Sequence, residues 1–296
     1  MNILKHLIDK GVLVSGTYPK FIETNIHYLV QMGSVAYGAS NDKSDIDIYG
    51  FCIPYKEHIF PHLYGQILGF GNQIKRFETW NYHHLNDISR NKMYDFSIHS
   101  IIKYFQLCMK NNPNIIDSLF VPDRCILHST NIGNYVRENR RKFLHKGCFH
   151  KFKGYSYSQI KKMQSQTRKS KKRKDNIEKF GYDLKFAMHC IRLLLECEQI
   201  LLEKDINLER NSKQLLSIRN GEWKLQEILD WFSSKEKSLE ELYSKSDLPL
   251  TPNEDEIKSI LLSCLEMHFG SLDSAIKTND KYEIAISKIR NIVDSV

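Results

Sequence analysis

The first half of the chain alternates polar and apolar side chains in a way that predicts β-strands. Residues 26–32 are rich in β-branched and aromatic side chains, which are typical of strands. Residues 45–53 and 92–99 alternate polar with apolar side chains. Because successive side chains of a strand point to opposite faces, both segments predict strands that bury one face.

Helical spacing replaces this alternation from residue 100 onward. Apolar residues recur at intervals of three and four over residues 100–110, which predicts a helix. Residues 62–86 have no regular pattern and are expected to form a hairpin or a loop. Further helices are predicted over residues 1–10, 35–41, 114–119, 131–144, 156–167, 177–203, 223–232, 235–244, 253–277 and 282–293.

These elements together predict an α+β protein. A small mixed sheet with its helices is expected over residues 1–140, and a mostly α-helical region over residues 141–296 that completes a cleft. The 296 residues are enough for a sizeable core or for two domains. A hydrophobic content of 41% with 26% charged residues is typical of a globular protein.

The junction between the first two predicted strands has a small-residue turn. Gly33-Ser34 follows the first strand, and glycine allows the backbone to approach a ligand closely and to take a positive φ. The hydroxyl of Ser34 and the backbone N–H groups after such a turn are suited to phosphate oxygens. This turn is therefore a candidate phosphate site.

Two carboxylates lie at the start of the second predicted strand. Asp45 and Asp47 share one face of it, whereas Ile46 and Ile48 point into the core. Neighbouring carboxylates repel each other unless a cation lies between them, and Mg²⁺ prefers such oxygen ligands together with substrate phosphates. An exposed strand edge is the alternative, but the Gly-Ser turn at this distance favours a metal-dependent phosphate site.

The segment Gly33–Gly50 resembles the Gly-Ser…Asp-x-Asp signature of the DNA polymerase β-like nucleotidyltransferases. More narrowly, this segment and residues 112–120, 152–159 and 181–194 are similar to the RNA repair pathway DNA polymerase β family. The resemblance implies a nucleotidyltransferase with a polymerase β-like head. Such an enzyme moves a nucleoside monophosphate from an NTP, such as ATP, to an acceptor hydroxyl and releases pyrophosphate.

The resemblance also implies a third carboxylate on a neighbouring strand. Asp95 is the candidate, because its strand alternates polar and apolar residues and places it on the polar face. Glu78 and Asp87 are its competitors, and an exposed aspartate at a strand start is the alternative. Together with Asp45 and Asp47, Asp95 is expected to bind Mg²⁺ or Mn²⁺ and to help deprotonate the attacking hydroxyl.

Nucleotide contacts are predicted at the turn and on a later helix. The three- and four-residue spacing of a lysine, a histidine and an arginine places them on one helix face, and it matches a Lys-x-x-x-His-x-x-Arg pattern of the family. A solvated helix face is the alternative. The residues expected to bind the nucleotide are Gly33, Ser34, Ser44, Lys185, His189 and Arg192.

The distribution of charge indicates an anionic partner. The chain has 43 Lys and Arg against 35 Asp and Glu, a formal net charge of +8. Basic residues are concentrated between positions 161 and 174, with no acidic residue among them. Such a run can neutralise nucleic-acid phosphates, although a solvated loop is the alternative. The expected nucleic-acid contacts are Lys169, Lys171, Lys172 and Arg173.

Two tyrosines, Tyr155 and Tyr157, precede this basic run. Aromatic rings near cations can stack on the bases of single-stranded RNA. Burial in a helical core is the more common reason for such tyrosines, and we expect both to be buried.

The seven cysteines are scattered through the chain without the spacing of metal ligands. This usage predicts reduced thiols in a reducing compartment and no zinc site. No apolar run approaches the ~20 residues that span a bilayer, and residues 1–10 are interrupted by charge, unlike a signal peptide. We therefore expect a cytoplasmic protein without membrane contact.

The expected function is metal-dependent nucleotidyl transfer from an NTP to RNA, at an end resembling that of tRNA. Two alternatives stay open. The acceptor could instead be a small molecule or a protein hydroxyl, but the basic charge does not suit a cationic small molecule. An inactive RNA-binding protein is the other alternative, but it would have no need for Asp45 and Asp47.

Overall fold

Five strands form a mixed sheet in the N-terminal half of the protein. The structure, a computed structural model, describes residues 3–39, 45–63, 65–71, 75–164, 177–271, 276 and 289. The strands within these residues are β1 (Ile26–Gln31), β2 (Ile46–Cys52), β3 (Thr79–Asp87), β4 (Lys92–Ser100) and β5 (Ile126–Ser129). The strands predicted over residues 26–32, 45–53 and 92–99 are thus confirmed as β1, β2 and β4.

The order of the strands in the sheet is β3-β4-β2-β1-β5. The pairs β1–β2, β1–β5 and β3–β4 are antiparallel, whereas β2 and β4 are parallel. The register of the parallel pair sets Asp47 beside Asp95 and Tyr49 beside Ser97. Two central strands therefore present polar residues side by side on one face of the sheet.

The helices surround the sheet and continue beyond it. Several begin after a residue whose side chain accepts a backbone N–H of the first turn, as at Ser100, Asn112, Thr130, Asp183 and Asn253. The α-helices are α1 (Ile3–Asp9), α2 (Lys56–Ile59), α3 (Ile101–Met109), α4 (Pro113–Phe120), α5 (Asn131–Glu138), α6 (Cys148–Gln164), α7 (Leu184–Glu203), α8 (Ser212–Arg219), α9 (Leu225–Lys245) and α10 (Glu254–Phe269).

Two apolar clusters cover the two faces of the sheet. Ile48 and Phe96 belong to the cluster on one face, together with Leu7 of α1. Phe51 belongs to the larger cluster on the other face, which the sheet forms with α3, α4, α6 and α7. Because side chains alternate along β2, Asp47 lies on the same face as Phe51 and points toward the helices.

The larger cluster continues from the sheet into the helical half. Helix α7 packs against α6, α8 and α9, and buries Ala187, Ile191 and Leu194 among them. Residues from both sides of position 140 belong to this cluster. The division into residues 1–140 and 141–296 therefore stays a proposal.

The helix predicted over residues 177–203 is wrong in its continuity. Residues 177–180 are helical, but the chain then turns at Gly181, which has a φ of 81°. The carboxylate of Asp183 accepts the backbone N–H groups of Lys185 and Phe186, at 3.1 and 3.4 Å, and caps a new helix. A positive φ and a capping carboxylate together favour two helices over one.

Other predicted boundaries also differ from the structure. The helices predicted over residues 223–232 and 235–244 are one helix, α9, because Phe232 and Leu239 hold both halves on the core and serine interrupts a helix only weakly. Residues 62–86 contain most of β3, which forms a hairpin with β4. The helix predicted over residues 282–293 lies outside the described residues, apart from residue 289.

Two further properties bear on the expected location of the protein. All seven cysteines are buried and free of disulfide bonds. Every helix among the described residues is too short or too polar to cross a lipid bilayer.

Two buried histidines are expected to make the stability depend on pH. Burial is the main cause that lowers the pKa of His27 and of His99 to about 4, and nearby His268 and Lys103, respectively, contribute to this lowering. In the unfolded chain each histidine takes up a proton near pH 6.5, whereas in the folded protein it stays neutral down to about pH 4. The free energy of unfolding is therefore highest above pH 6.5 and decreases as the pH falls toward 4. Urea unfolding at pH 5 should show a loss of about 2 kcal/mol for each histidine.

The variant His99→Gln, which removes one of these titrating groups, is the control for this pH effect. Its free energy of unfolding should fall less between pH 7 and pH 5 than that of the wild type. An equal fall in both proteins would contradict the assignment to His99.

Candidate active site

The Gly33 turn lies directly against the carboxylate of β2. Gly33 has a φ of 76° and begins a single turn of 3₁₀ helix, Gly33–Val35. The short helix predicted over residues 35–41 is therefore wrong in its described part, because residues 36–39 are not helical. A Cβ on Gly33 would lie 2.6 Å from Oδ2 of Asp47. The backbone conformation and the close carboxylate therefore both require glycine here.

The sheet register brings two of the three predicted carboxylates together. Asp47 and Asp95 are direct neighbours on the paired strands β2 and β4. Neighbouring strands of a sheet lie about 4.8 Å apart, so the backbones of the two residues are close together. Asp45 is exposed, just before β2. Burial raises the pKa of Asp47, while Lys185 lowers it and the carboxylates of Asp95 and Asp45 raise it. The three carboxylates and one lysine thus share one electrostatic environment.

A bulge in β3 places backbone and histidine rings beside Asp95. The register of β3 with β4 shifts between Tyr82 and Leu85, and His84 takes a φ of 58°. The backbone N–H of His84 donates to Oδ1 of Asp95 at 2.6 Å, and the Nδ1 atoms of His83 and His84 lie 3.8 and 3.7 Å from the same oxygen. These histidines were not predicted from the sequence, where the adjacent His-His pair was the available signal.

The two competitors of Asp95 have other roles in the structure. Glu78 is exposed and pairs with Lys103 at 2.8 Å. The carboxylate of Asp87 accepts the backbone N–H and the hydroxyl of Ser89, at 3.1 and 2.5 Å. Both carboxylates therefore stabilise local structure, and the register favours Asp95 as the partner of Asp47.

The carboxylates provide a donor set that fits a magnesium ion. Within the described residues, three or more His, Cys, Asp or Glu side chains do not converge as a preformed metal cage. Mg²⁺ is nonetheless commonly held by one or two carboxylates with substrate phosphates completing its shell. The adjacent Asp47 and Asp95, whose negative charges repel each other, fit such an open site.

A cleft of about 730 Å³ opens above Asp47. The turn and β2 form its floor, while α6 and α7 form its walls. The lining includes Lys185, His189 and Arg192, which were predicted to share one helix face. The residues around the cleft are Met32, Gly33, Tyr37, Asp47, Tyr49, Asn114, His150, Lys151, Gly154, Tyr155, Ser158, Gln159, Lys162, Lys185, Phe186, His189, Arg192 and Leu193.

Arg192 reaches the cleft wall but is only 4% exposed. Its guanidinium binds the carboxylate of Asp117 on α4 and that of Glu196 on α7, the latter at 2.9 Å. The guanidinium also lies 4.2 Å from the ring centroid of Tyr37. Its Nη1 is thus used inside the protein, unlike the exposed helix face that the spacing suggested.

This buried network connects the turn to the helices. The hydroxyl of Tyr37 donates to Oδ2 of Asp117 at 3.0 Å, so that the turn, α4 and α7 share one set of charges. Burial raises the pKa of both Asp117 and Glu196, and Arg192 opposes this rise. The sequence analysis singled out the segments that contain Asp117 and Arg192 but did not identify their pairing.

The remaining predicted residues have different outcomes. Ser34 lies half-buried in the 3₁₀ turn beside Gly33. The prediction that Tyr155 and Tyr157 are buried is wrong, because they are 38% and 39% exposed and bond polar groups through their hydroxyls. Five predicted contacts lie outside the described residues, namely Ser44, Lys169, Lys171, Lys172 and Arg173.

The family follows from the extent of the sequence match. The model of the RNA repair pathway DNA polymerase beta family matches residues 16–260. This chain belongs to that family. The mixed sheet with its helical C-terminal region is the nucleotidyltransferase-like fold that the resemblance predicted, and membership in the RNA repair pathway DNA polymerase β family supports nucleotidyl transfer as the general chemistry.

Two further comparisons accompany this family match. A solved structure, a nucleotidyltransferase-like protein from Exiguobacterium sibiricum 255-15, is similar at 10% identity and a TM-score of 0.29. The similarity covers 86% of this chain and 73% of that one. Comparison with curated proteins gives no match.

Replacement of Gly33 by alanine should abolish activity, because the added Cβ would displace the carboxylate of Asp47. We expect nucleotidyl transfer to fall at least about a hundredfold in Gly33→Ala. Gly11→Ala is the matched control, since Gly11 also has a positive φ, 68°, but its Cβ would meet no atom within 4 Å. Full turnover by Gly33→Ala would contradict the role of the close approach.

Replacement of Arg192 by methionine leaves Asp117 and Glu196 buried without a cation. We expect Arg192→Met to lower the free energy of unfolding by about 3–5 kcal/mol, measured by urea unfolding at pH 7. The control is Arg210→Met, because Arg210 and Glu203 form an exposed pair whose loss should cost less than about 1 kcal/mol. Equal losses in the two variants would show that the buried network has no special weight.

Proposed function

We propose that this protein transfers a nucleoside monophosphate from an NTP to a hydroxyl at an RNA end, and that it requires Mg²⁺ or Mn²⁺. The proposal depends on one observation: Asp47, at the floor of a cleft bordered by the Gly33 turn, is the direct neighbour of Asp95 on the adjacent strand. A carboxylate pair beside a turn with a positive φ is suited to hold metal-bound phosphates. The family description supports the same chemistry.

Each element of the site has a role in this reaction. Gly33 and Ser34 would hold the phosphates, and Asp45, Asp47 and Asp95 would hold the metal. The bound metal would supply Lewis-acid polarisation of the α-phosphate. The acceptor oxygen forms a bond to the α-phosphorus, the bond from that phosphorus to the bridging oxygen breaks, and pyrophosphate leaves. A carboxylate of the site takes up the proton of the acceptor hydroxyl.

The cations of α7 would bind the negative charge of the triphosphate. Lys185 lies within electrostatic range of Asp47 and lines the cleft together with His189. We propose that these two residues contact the triphosphate. Arg192 would contribute positive charge from behind the wall and would fix Tyr37, since its guanidinium is held by carboxylates.

An RNA acceptor is supported by the charge of the protein and by the family description. The net charge is +8, and Lys151 and Lys162 of α6 line the same cleft. We keep Ser44 as a proposed phosphate contact and the basic positions 169, 171, 172 and 173 as proposed RNA contacts. The seven free, buried cysteines support a reducing compartment such as the cytoplasm.

Transfer of labelled nucleotide to RNA tests this function. The wild type is incubated with Mg²⁺, each α-labelled NTP in turn and a pool of small RNAs. Label should enter an RNA band, chelation of Mg²⁺ should stop it, and Asp47→Asn and Asp95→Asn should lower it at least about a hundredfold. Glu78→Gln, which changes a carboxylate outside the cleft, should retain the wild-type rate.

The other outcomes of this experiment separate the alternatives. Pyrophosphate release without label on RNA would overturn the RNA acceptor in favour of a small molecule or a protein. Undiminished transfer by Asp47→Asn would overturn the proposed role of the carboxylates. Absence of both label and pyrophosphate would favour a binding protein.

A further inference from the structure

One face of α6 forms a wall of the cleft. The side chains on the opposite face of the helix, among them Phe149, Phe152 and Ser156, are buried in the core. The cleft residues follow the helical repeat of three and four positions, so they form a continuous stripe. This stripe consists of His150, Lys151, Gly154, Tyr155, Ser158, Gln159 and Lys162.

Gly154 leaves a gap in the middle of this stripe. A Cβ added there would meet no atom within 4 Å, and its φ is not in the left-handed region. By contrast, a Cβ on Gly133 of α5 would lie 2.2 Å from the carbonyl oxygen of His27, so packing explains that glycine. Because glycine weakens a helix interior and no packing requires it at position 154, the gap indicates room for a ligand.

Tyr155 presents an aromatic ring beside this gap. The ring is 38% exposed and lines the cleft. Its hydroxyl accepts a hydrogen bond from Nδ2 of Asn112 at 3.0 Å, and Asn112 itself caps α4. The hydrogen bond restrains the ring, so that it can serve as a stacking platform for a flat ligand.

Cations lie on both sides of the gap. Lys151 and Lys162 belong to the stripe, and Nζ of Lys162 lies 5.9 Å from the ring centroid of Phe186 on α7. Lys185 belongs to the opposite wall. A flat surface flanked by positive charge matches the chemistry of a nucleotide, whose base is aromatic and whose phosphates are anionic.

We propose that Gly154 and Tyr155 form a nucleobase slot, in which a base of the substrate stacks on Tyr155 and occupies the gap at Gly154. The proposal rests on the proposed function, because it names the substrate group that this wall of the same cleft receives. The base could belong to the NTP or to the terminal nucleotide of a single-stranded RNA. The chemistry of recognition is the same for both sources.

A pair of tyrosines on α6 provides a matched test. Tyr155 and Tyr157 have nearly equal exposure, and both form a hydrogen bond through the hydroxyl. They differ in position, because Tyr155 lines the cleft and Tyr157 does not belong to its described lining. Fluorescence anisotropy is measured with N-methylanthraniloyl-ATP and with a short fluorescein-labelled single-stranded RNA. Tyr155→Ala should raise the Kd of at least one probe about tenfold, whereas Tyr157→Ala should leave both within about twofold.

Further variants distinguish stacking from other effects. Tyr155→Phe should retain most of the affinity, because the ring remains. Gly154→Ala should raise the melting temperature by a few degrees, since alanine favours helix, yet weaken binding several-fold. Inorganic triphosphate should compete equally well in the wild type and in Tyr155→Ala, because it has no base. The probe that weakens in Tyr155→Ala identifies the source of the base.

The results for the slot and for the proposed function are separable. If Tyr155→Ala binds both probes like the wild type while Asp47→Asn loses transfer, the slot is overturned and the proposed function stands. If Tyr155→Ala weakens binding but the wild type transfers no nucleotide, the slot stands and the proposed function is overturned. A wild type that binds neither probe overturns both.

Discussion

The parallel pairing of β2 with β4 is the constraint on which the site depends. It places Asp47 and Asp95 on one face of the sheet, where the backbone of neither residue can move away without breaking the hydrogen bonds between two central strands. On its other side β2 pairs with β1, and this second pairing holds Asp47 against Gly33, which directly follows β1. Charge repulsion and close approach are thus both imposed by the backbone, and they create a position that a cation and phosphates would stabilise.

The buried charges of Arg192, Asp117 and Glu196 connect this sheet to the helical half. A buried ion pair is costly to form, since each charge loses its hydration, but it has a defined geometry that an apolar contact lacks. Here the geometry fixes Tyr37, which belongs to the turn that carries Gly33. The network therefore sets the position of the cleft wall relative to its floor. Its place behind the wall of the cleft explains why Arg192, which belongs to a spacing pattern on α7 that resembles a ligand-binding face, forms its bonds inside the protein.

Several features were accessible from the sequence because they depend on local chemistry. Alternation predicted β1, β2 and β4, and the faces of β2 followed from it, with Ile48 in the core and Asp47 opposite. The spacing of apolar residues located most of the helical segments, but it did not predict where one helix ends and the next begins. The break before α7 depends on Gly181 and Asp183, and the continuity of α9 depends on core packing that no local signal records. Tyr155 and Tyr157 were also expected in the core, but Tyr155 lines the cleft and Tyr157 lies at the surface, where its hydroxyl bonds Glu236 of α9.

The sequence by itself determined the turn and the pair of carboxylates Asp45 and Asp47, since these lie within one short segment and obey the two-residue period of a strand. It also carried the family resemblance, in this segment and in three later ones. Only the tertiary structure decided that Asp95, and neither Glu78 nor Asp87, lies beside Asp47. It alone placed the bulge of β3 at that carboxylate. The physical reason is that strand register and helix packing join residues far apart in the chain, and they are set by the sum of many contacts rather than by the identity of any one residue.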